Sequence, residues 1–353
     1  MVQDKLSRLL GGRDGIYVLC LLTPAIFFEI PSQFSFSSPS ASTQLHKSAF
    51  EPGHLTRSQE LTPAQRLEES QEMLRSANEL LKSGSLPDAE KQVRASLEKE
   101  PDAWRAHFLL GLILFKQGRA KESLDEYTEG ARLHTPSAAD LKIVALNYVL
   151  LGDFTEADKW LTKSTAWNPA DAEAWYHLGR TKYNESRFEE AVGAFRRCLQ
   201  LEEKDVKAKS NLGLSLAGLG RVAEAQATYR EAIAWQAQSA AKTAEPYIDL
   251  GDLLLDRNQT DEAIALLLTA DAISPEDVRV PEMLGRAYWR QNKLEDAELQ
   301  LEKAVKLTPA SAANHYLLGQ VYRKRGMSEK AKVEFDRASE LSASHVSPAN
   351  VNR

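Results

Sequence analysis

A short pattern of small and bulky residues recurs every 34 positions along most of this 353-residue chain, and it constrains the fold more than any other feature. In the clearest copy, Leu178 and Gly179 are followed by Ala191, Phe195 and Cys198. A glycine or alanine holds the place of Gly179 in all eight copies: Ala77, Gly111, Ala145, Gly179, Gly213, Gly251, Gly285 and Gly319. Small residues at such spacings let two helix backbones approach closely, so the pattern predicts tandem helical hairpins.

A bulky residue follows each of these small residues after sixteen positions. The set is Val93, Tyr127, Leu161, Phe195, Tyr229, Leu267, Leu301 and Phe335. We expect each bulky side chain to fill the space that the small residue leaves open. One hairpin alone would expose an apolar face, so the hairpins must stack into a continuous core. The prediction is an all-α solenoid.

The limits and turns of the array are also visible. Thr62, Pro63 and Gln65 match a helix start with a capping box. The hairpin turns are predicted at Gly118, Gly152, Gly220, Asn258, Asn292 and Gly326. One unit departs from the period, because Gly213 and Gly251 are 38 positions apart. The four extra residues predict a longer second helix or a longer loop in the fifth unit, either as a local change of superhelix shape or as a tolerated insertion.

The pattern resembles the tetratricopeptide repeat family. The resemblance rests on Trp175, Leu178–Gly179, Ala191 and Phe195 and on their counterparts across about residues 70 to 345, as eight units. It implies a right-handed superhelix of helical hairpins in which the first helices line a concave groove. It also implies a non-enzymatic scaffold that binds a protein or peptide in that groove. The alternative is a structural spacer subunit of a larger envelope, secretion or enzyme assembly.

The N-terminal region has a different character. Lys5, Arg8 and Arg13 precede an apolar run at 16–28, which is shorter than the roughly 20 residues that span a bilayer. We interpret 1–30 as a secretory signal peptide or an N-terminal anchor. The protein is then expected to be exported (periplasmic or extracellular) or membrane-tethered, of a bacterial type, with a cytoplasmic location as the alternative.

Three further segments complete the predicted organisation. Residues 31–61 form a Ser/Pro-rich disordered linker, 62–345 the repeat array and 346–353 a disordered tail. Contact with a membrane is expected only through the N-terminal segment, if it is not cleaved.

The composition and motifs exclude several functions. A net charge of −6 argues against a nucleic-acid partner, which would require a basic surface. The seven histidines form no HExxH motif, and neither a phosphate-binding loop in a strand–helix context nor a GxSxG nucleophile motif is present. The sequence therefore predicts no catalytic residue, no cofactor and no metal.

The resemblance also defines candidate partner residues, as those first-helix side chains that the packing pattern does not use. They are Phe108, Phe115, Tyr176, Arg180, Tyr183, Arg286, Trp289, Arg290, Tyr316 and Arg323. The basic, aromatic C-terminal end is expected to hold an acidic segment. The alternative is that the aromatic residues pack between units and the charges are solvated. Burial of Trp289 between units, or a salt bridge of Arg286 within the array, would favour that alternative.

Overall fold

The computed structural model describes residues 62–237 and 242–345, and this part of the chain is helical without strands. The predicted signal, linker and tail lie outside the described residues. No described helix combines the length and apolar character needed to cross a membrane. The helices are α1 Pro63–Lys82, α2 Leu86–Lys99, α3 Trp104–Lys116, α4 Ala120–Leu133, α5 Ala138–Leu150, α6 Phe154–Trp167, α7 Ala172–Asn184, α8 Phe188–Leu201, α9 Val206–Gly218, α10 Val222–Gln236, α11 Glu245–Asp256, α12 Thr260–Ile273, α13 Arg279–Arg290, α14 Leu294–Leu307, α15 Ala312–Lys324 and α16 Ser328–His345.

These helices pack in tandem pairs. Each odd-numbered helix packs against the even-numbered helix that follows it, and the pairs α1–α2 to α15–α16 are units 1 to 8. From unit 2 onward, the first helices of neighbouring units also contact one another, whereas the second helices make no comparable contact in the described region. Because neighbouring units approach more closely on the first-helix side, that side is the concave one. The predicted all-α solenoid is confirmed.

The small and bulky residues meet inside each hairpin as predicted. A Cβ atom added to Gly213 would lie 2.6 Å from the ring of Tyr229, and one added to Gly179 would lie 2.7 Å from Phe195. Tyr229 is only 1% exposed, so its ring cannot move into solvent. Volume at this crossing therefore fixes the distance between the two helices of a unit.

The turns between first and second helices share a left-handed backbone conformation. The predicted turn residues all have positive φ, and so do Gly84 and Ser186, which the prediction did not include. Ser186 has a φ of 58° and lacks the conformational freedom of glycine, so its turn is strained. The predicted capping box is present at the start of α1, where the side chains of Thr62 and Gln65 cap each other's backbone N–H groups.

The second helix of unit 5 is only slightly longer than its counterpart in unit 4. α10 has 15 residues, one more than the 14 of α8. Its last residue, Gln236, donates from Nε2 to the Thr243 carbonyl (3.0 Å) and accepts at Oε1 from the Thr243 N–H (2.9 Å). Gln236 is 1% exposed. One buried amide thus ties the end of α10 to Thr243, just before α11.

Candidate interaction surface

One stripe of side chains runs along each first helix at spacings of four, three and four residues, which places its members on a single face. We call it the first-helix stripe. In unit 6 its members are all acidic: Glu245, Asp249, Asp252 and Asp256. In unit 7 the residues 34 positions later are Arg279, Met283, Arg286 and Arg290. An acidic stripe therefore lies on the helix next to a basic one.

The two stripes are joined by ion pairs. Arg279 Nη2 donates to both carboxylate oxygens of Glu245 at 3.0 Å and to Asp277 at 2.7 Å. Arg286 Nη2 donates to Asp252 at 2.9 Å. The interpretation of Arg286 as a partner residue is thus wrong by the criterion set from the sequence, because its charge is balanced within the array.

Asp249 is the acidic residue of this stripe that faces no arginine, since Met283 holds the corresponding place in unit 7. It accepts a hydrogen bond from Ser210 Oγ of α9 at 2.7 Å. Burial, and next the charge of Glu245, raise the pKa of Asp249 to about 7, although the bond from Ser210 and the charge of Arg279 act the other way. The carboxyl group can therefore carry a proton close to neutral pH.

A second ionic contact joins units 3 and 4. Lys142 Nζ of α5 donates to Asp171 at 2.9 Å and to Glu173 at 2.6 Å. Burial alone would raise the pKa of Glu173, but the His177 ring nitrogen 3.7 Å away and the hydrogen bond and charge of Lys142 outweigh it and lower the pKa to about 2. The lysine and its two carboxylates therefore hold neighbouring first helices together.

Arg180 differs from these paired cations. Its guanidinium lies over the ring of Tyr176, 5.7 Å from the centroid, and it forms no ion pair within the described residues. Tyr176 in turn packs edge-on against Phe195, with the centroids 6.0 Å apart. Tyr183, the other aromatic candidate of α7, is half-buried and packs against Phe188 at 5.3 Å.

The candidates in unit 2 belong to the core. Phe108 is 7% exposed, and its ring stacks on Tyr127 with the centroids 5.7 Å apart. A Cβ atom added to Gly130 of α4 would lie 2.5 Å from the Phe108 ring. The interpretation of Phe108 as a groove residue is therefore wrong, because its side chain points between the two helices of its unit. Phe115 is half-buried and packs against the same cluster.

The remaining candidates lie on α13 and α15. Trp289 is half-buried among apolar side chains of units 7 and 8, and Lys324 Nζ lies 4.8 Å from its ring centroid. Arg290 Nη1 donates to the Leu255 carbonyl of unit 6. The position of Trp289 therefore also favours the alternative in which the aromatic residues pack between units.

Two residues of unit 8 remain on the surface. Tyr316 is 54% exposed and packs against Phe335. Arg323 is exposed; it lies over the Phe335 ring at 5.5 Å and donates to Gln320. Neither Arg323 nor Lys324 pairs with a carboxylate within 62–237 and 242–345.

The structure separates the candidates into three kinds. Core packing occupies Phe108 and much of Phe115, Tyr183 and Trp289, and contacts within the array occupy Arg286 and Arg290. Cations over rings without an ion pair remain at the half-buried Arg180 and the exposed Arg323. The sequence reasoning missed Asp249 and Ser210, although a comparison of residues at the period of the repeat would have revealed the facing acidic and basic stripes. In the described part of the chain, no group of three or more His, Cys, Asp or Glu residues could hold a metal ion.

Comparison with known protein families agrees with this architecture. Models described as tetratricopeptide repeat or TPR repeat match residues 74–138, 172–205, 205–276, 285–326 and 312–345. These matches together cover more than half of the chain. The chain belongs to the tetratricopeptide repeat family.

Individual relatives are more distant. A BBSome complex member BBS4 homolog of Drosophila melanogaster is 29% identical over 166 residues, which cover 44% of this chain and 33% of that protein. The tetratricopeptide repeat-containing protein trd-1 of Caenorhabditis elegans is 24% identical over 223 residues, covering 63% of this chain and 27% of that protein. The chain thus spans about a third or less of these curated relatives.

A solved structure supports the fold alone. The crystal structure of a tetratricopeptide repeat protein from Parabacteroides merdae superposes with a TM-score of 0.59 at 22% identity, covering 72% of this chain and 99% of that one.

Proposed function

We propose that this protein is a non-enzymatic scaffold that holds an acidic segment of a partner protein on its concave, first-helix face. The observation that carries the proposal is a set of three cations, Arg180, Arg323 and Lys324, which we call the ring-seated cations. Each lies over an aromatic ring, and none pairs with a carboxylate among the described residues. A partner carboxylate can bind there without breaking an internal ion pair.

The chemistry of these sites suits a carboxylate. An arginine can donate two parallel hydrogen bonds to a carboxylate, and the ring beneath offers an apolar surface to the neighbouring side chain. The array is assembled before the partner arrives, so little ordering cost falls on the scaffold. The contacts are close to solvent, so the affinity should decrease as the salt concentration rises.

Selection of binding peptides from a random displayed library tests this function. We expect the enriched peptides to contain Asp or Glu beside apolar residues, and the double variant Arg323→Glu, Lys324→Glu to reduce their binding at least tenfold. The matched control is Lys121→Glu, Lys332→Glu, which changes the net charge equally on two exposed second-helix positions. Equal loss in both double variants, or enriched peptides without acidic residues, would contradict the proposal.

A spacer subunit within a larger assembly is the second candidate, and one observation favours it. Leu299 of unit 7 and Val333 of unit 8 are each 64% exposed at equivalent positions on the second helices. Large exposed apolar side chains on the outer face suit coverage by another subunit. If Leu299→Lys and Val333→Lys released the protein from a native assembly while peptide binding stayed intact, the spacer function would be supported.

The export of the protein is also a proposal, which rests on the N-terminal sequence alone. Cell fractionation combined with sequencing of the mature N-terminus tests it. A mature chain that begins within or after 16–42 and is recovered outside the cytoplasm is expected. A cytoplasmic chain with an intact N-terminus would contradict export.

A further inference from the structure

The turn between the two helices of unit 6 carries three polar side chains at alternate positions. Asp256 ends α11, Asn258 lies in the turn, and Thr260 begins α12. Residues 256–260 have the sequence DRNQT. An asparagine followed two positions later by threonine, with a residue other than proline between them, is an acceptor sequence for N-linked glycosylation. Unit 6 therefore has a candidate modification site at the tip of its hairpin.

The fold does not use these three side chains. Within the described residues, none of them forms a hydrogen bond or an ion pair. Asp256 and Asn258 are exposed, and Thr260 is half-buried. The backbone closes the turn instead, since the Asn258 N–H donates to the Leu255 carbonyl at 3.1 Å. The Nδ2 of Asn258 is therefore accessible to an enzyme.

Backbone conformation explains the asparagine of this turn but not the threonine. Asn258 has a φ of 58°, and Asn292 at the equivalent turn of unit 7 has a φ of 59°. Asparagine tolerates this left-handed region better than most residues. By contrast, an apolar residue begins the second helix in six of the eight units: Leu86, Ala120, Phe154, Phe188, Val222 and Leu294. Thr260 therefore replaces the apolar residue usual at this place, and it supplies the hydroxyl that the acceptor sequence requires.

A second acceptor sequence at 184–186 lacks these features. Asn184 is half-buried at the end of α7. Two positions earlier stands Lys182, which is buried and donates to Asp158 at 2.7 Å. In bacteria the acceptor sequence for N-linked transfer includes an acidic residue at this place, and an arginine of the transferase can bind such a carboxylate through paired hydrogen bonds. Asp256 meets this requirement for Asn258, whereas Lys182 opposes it for Asn184.

We propose that Asn258 is the acceptor of an N-linked oligosaccharide, which is transferred after the chain has left the cytoplasm. This proposal rests on the export proposed above. The donor is an oligosaccharide joined to a polyprenyl diphosphate. The Nδ2 of Asn258 forms a bond to the anomeric carbon of the first sugar, while the bond from that carbon to the diphosphate oxygen breaks. The polyprenyl diphosphate leaves with the electron pair, and a base of the transferase takes the proton from Nδ2.

The two flanking residues are placed for recognition by the transferase. Asp256 and Thr260 lie on either side of the acceptor, and each terminates a helix, where the backbone opens most easily. The transferase can therefore bind the carboxylate and the hydroxyl without unfolding either helix beyond its end. The ring-seated cations lie in units 4 and 8, two units away on either side, so peptide binding should be unaffected by the oligosaccharide.

Glycosylation in a reconstituted host tests the site. The full chain, preceded by an established periplasmic signal peptide, is expressed in bacteria that carry an oligosaccharyltransferase and its lipid-linked oligosaccharide. Glycopeptide mass spectrometry should find the oligosaccharide on Asn258 and none on Asn184. An unmodified Asn258 in cells that modify a known acceptor protein would overturn the proposal. Because the signal peptide is supplied, that result would leave both the export and the peptide binding proposed above untouched.

Three single variants test the recognition of the turn. Thr260→Val keeps the shape of the threonine and removes the hydroxyl, so the modification should be lost. Asp256→Asn removes the charge and should reduce occupancy about tenfold, because a charge-assisted hydrogen bond to the transferase is lost. The control Gln259→Ala should retain full occupancy. Full occupancy in Thr260→Val or Asp256→Asn would contradict the recognition.

The turn of unit 7 provides a matched gain-of-function variant. Asn292 is exposed and has the same backbone conformation, but Arg290 and Leu294 stand where unit 6 has Asp256 and Thr260. Leu294→Thr alone should leave Asn292 unmodified, and the double variant Arg290→Asp, Leu294→Thr should be modified. Equal modification of the single and double variants would overturn the role of the acidic residue.

The same measurement applies to the protein from its own cells. Chain recovered outside the cytoplasm should carry the oligosaccharide on Asn258, and an exported chain with an unmodified Asn258 would overturn the proposal. A chain confined to the cytoplasm would overturn it together with the proposed export.

Discussion

The contacts within a unit and the contacts between neighbouring first helices follow different rules. Inside each hairpin, a small residue meets a bulky one, and the same arrangement recurs along the array. Between first helices, the contact depends on the pair: Lys142 joins units 3 and 4, and facing acidic and basic stripes join units 6 and 7. Volume therefore defines the hairpin, whereas charge distinguishes one junction from the next.

The largest effect is expected from added volume inside a hairpin. Gly213→Ala should lower the free energy of unfolding by about 3 kcal/mol, because its Cβ would collide with the buried Tyr229 ring. The control is Gly193→Ala on α8, where nothing lies within 4 Å and the alanine should stabilise the helix by up to about 1 kcal/mol. Urea titration measures both, and equal effects would show that volume does not define the hairpin.

Removal of a buried cation between units comes next. Lys142→Met should lower the free energy of unfolding by about 2 kcal/mol, since it leaves two carboxylates facing each other at a side chain that is 9% exposed. Arg286→Met removes a pair that is one-third exposed on both sides and should cost less than about 1 kcal/mol. Urea titration measures both variants. A larger cost for Arg286→Met would show that the partly exposed pair contributes more to stability than the buried one.

A pH-dependent effect of roughly 1.5 kcal/mol is expected at Asp249, after discounting for its half-buried position. Its pKa of about 7 lies above that of an unfolded aspartate, so the folded state holds the extra proton and stability should fall as the pH rises from about 4 to 7. Asp249→Asn should remove this part of the slope. Urea midpoints of both proteins across this range provide the measurement, and parallel curves would disprove the effect.

Glu173 provides the opposite sign at the other ionic junction. Its pKa of about 2 lies below that of an unfolded glutamate, so its contribution is present above about pH 4.5 and is lost as the pH falls towards 2. Glu173→Gln should therefore weaken the protein at neutral pH and flatten the loss of stability between about pH 4.5 and 2. Urea midpoints of both proteins from pH 2 to 7 measure this, and an unchanged acid slope in the variant would contradict the role of Glu173.

The smallest effect concerns a turn. Ser186→Gly should raise the free energy of unfolding by about 1 kcal/mol, because glycine adopts the positive φ of this turn without steric cost. Gly220→Ser, at the equivalent turn of the next unit, should lower it by a similar amount. Thermal unfolding of the two variants gives the comparison, and shifts of the same sign would contradict the strain at Ser186.

The hairpins were predictable because their determinants are local and periodic. The spacing from Gly179 to Phe195 specifies which side chains meet, and it does so without knowledge of any other unit. Six of the eight turns were also identified from glycine or asparagine. The turn at Ser186 was not predicted, because serine rarely adopts a positive φ. Only its place in the 34-residue period could have indicated a turn.

The interaction surface was less predictable, since its charges depend on residues one unit away. Arg286 has the composition of a binding residue, and only the neighbouring helix with Asp252 shows that the charge is balanced. The bond from Ser210 to Asp249 was harder still to foresee, because the insertion in unit 5 places these residues 39 positions apart instead of at the period. Phe108 was wrongly predicted to line the groove, because the equivalent position of the repeat is half-exposed in unit 4 but buried in unit 2.

The facing stripes of α11 and α13 have a mechanical consequence. The pair of Asp252 and Arg286 is open to solvent, so dissolved ions weaken it over the range in which the Debye length falls below about 10 Å. The hairpin crossings are apolar and do not share this sensitivity. Resistance to bending should therefore be uneven along the array, with the junction of units 6 and 7 becoming more compliant as ionic strength rises while the hairpins on either side stay rigid.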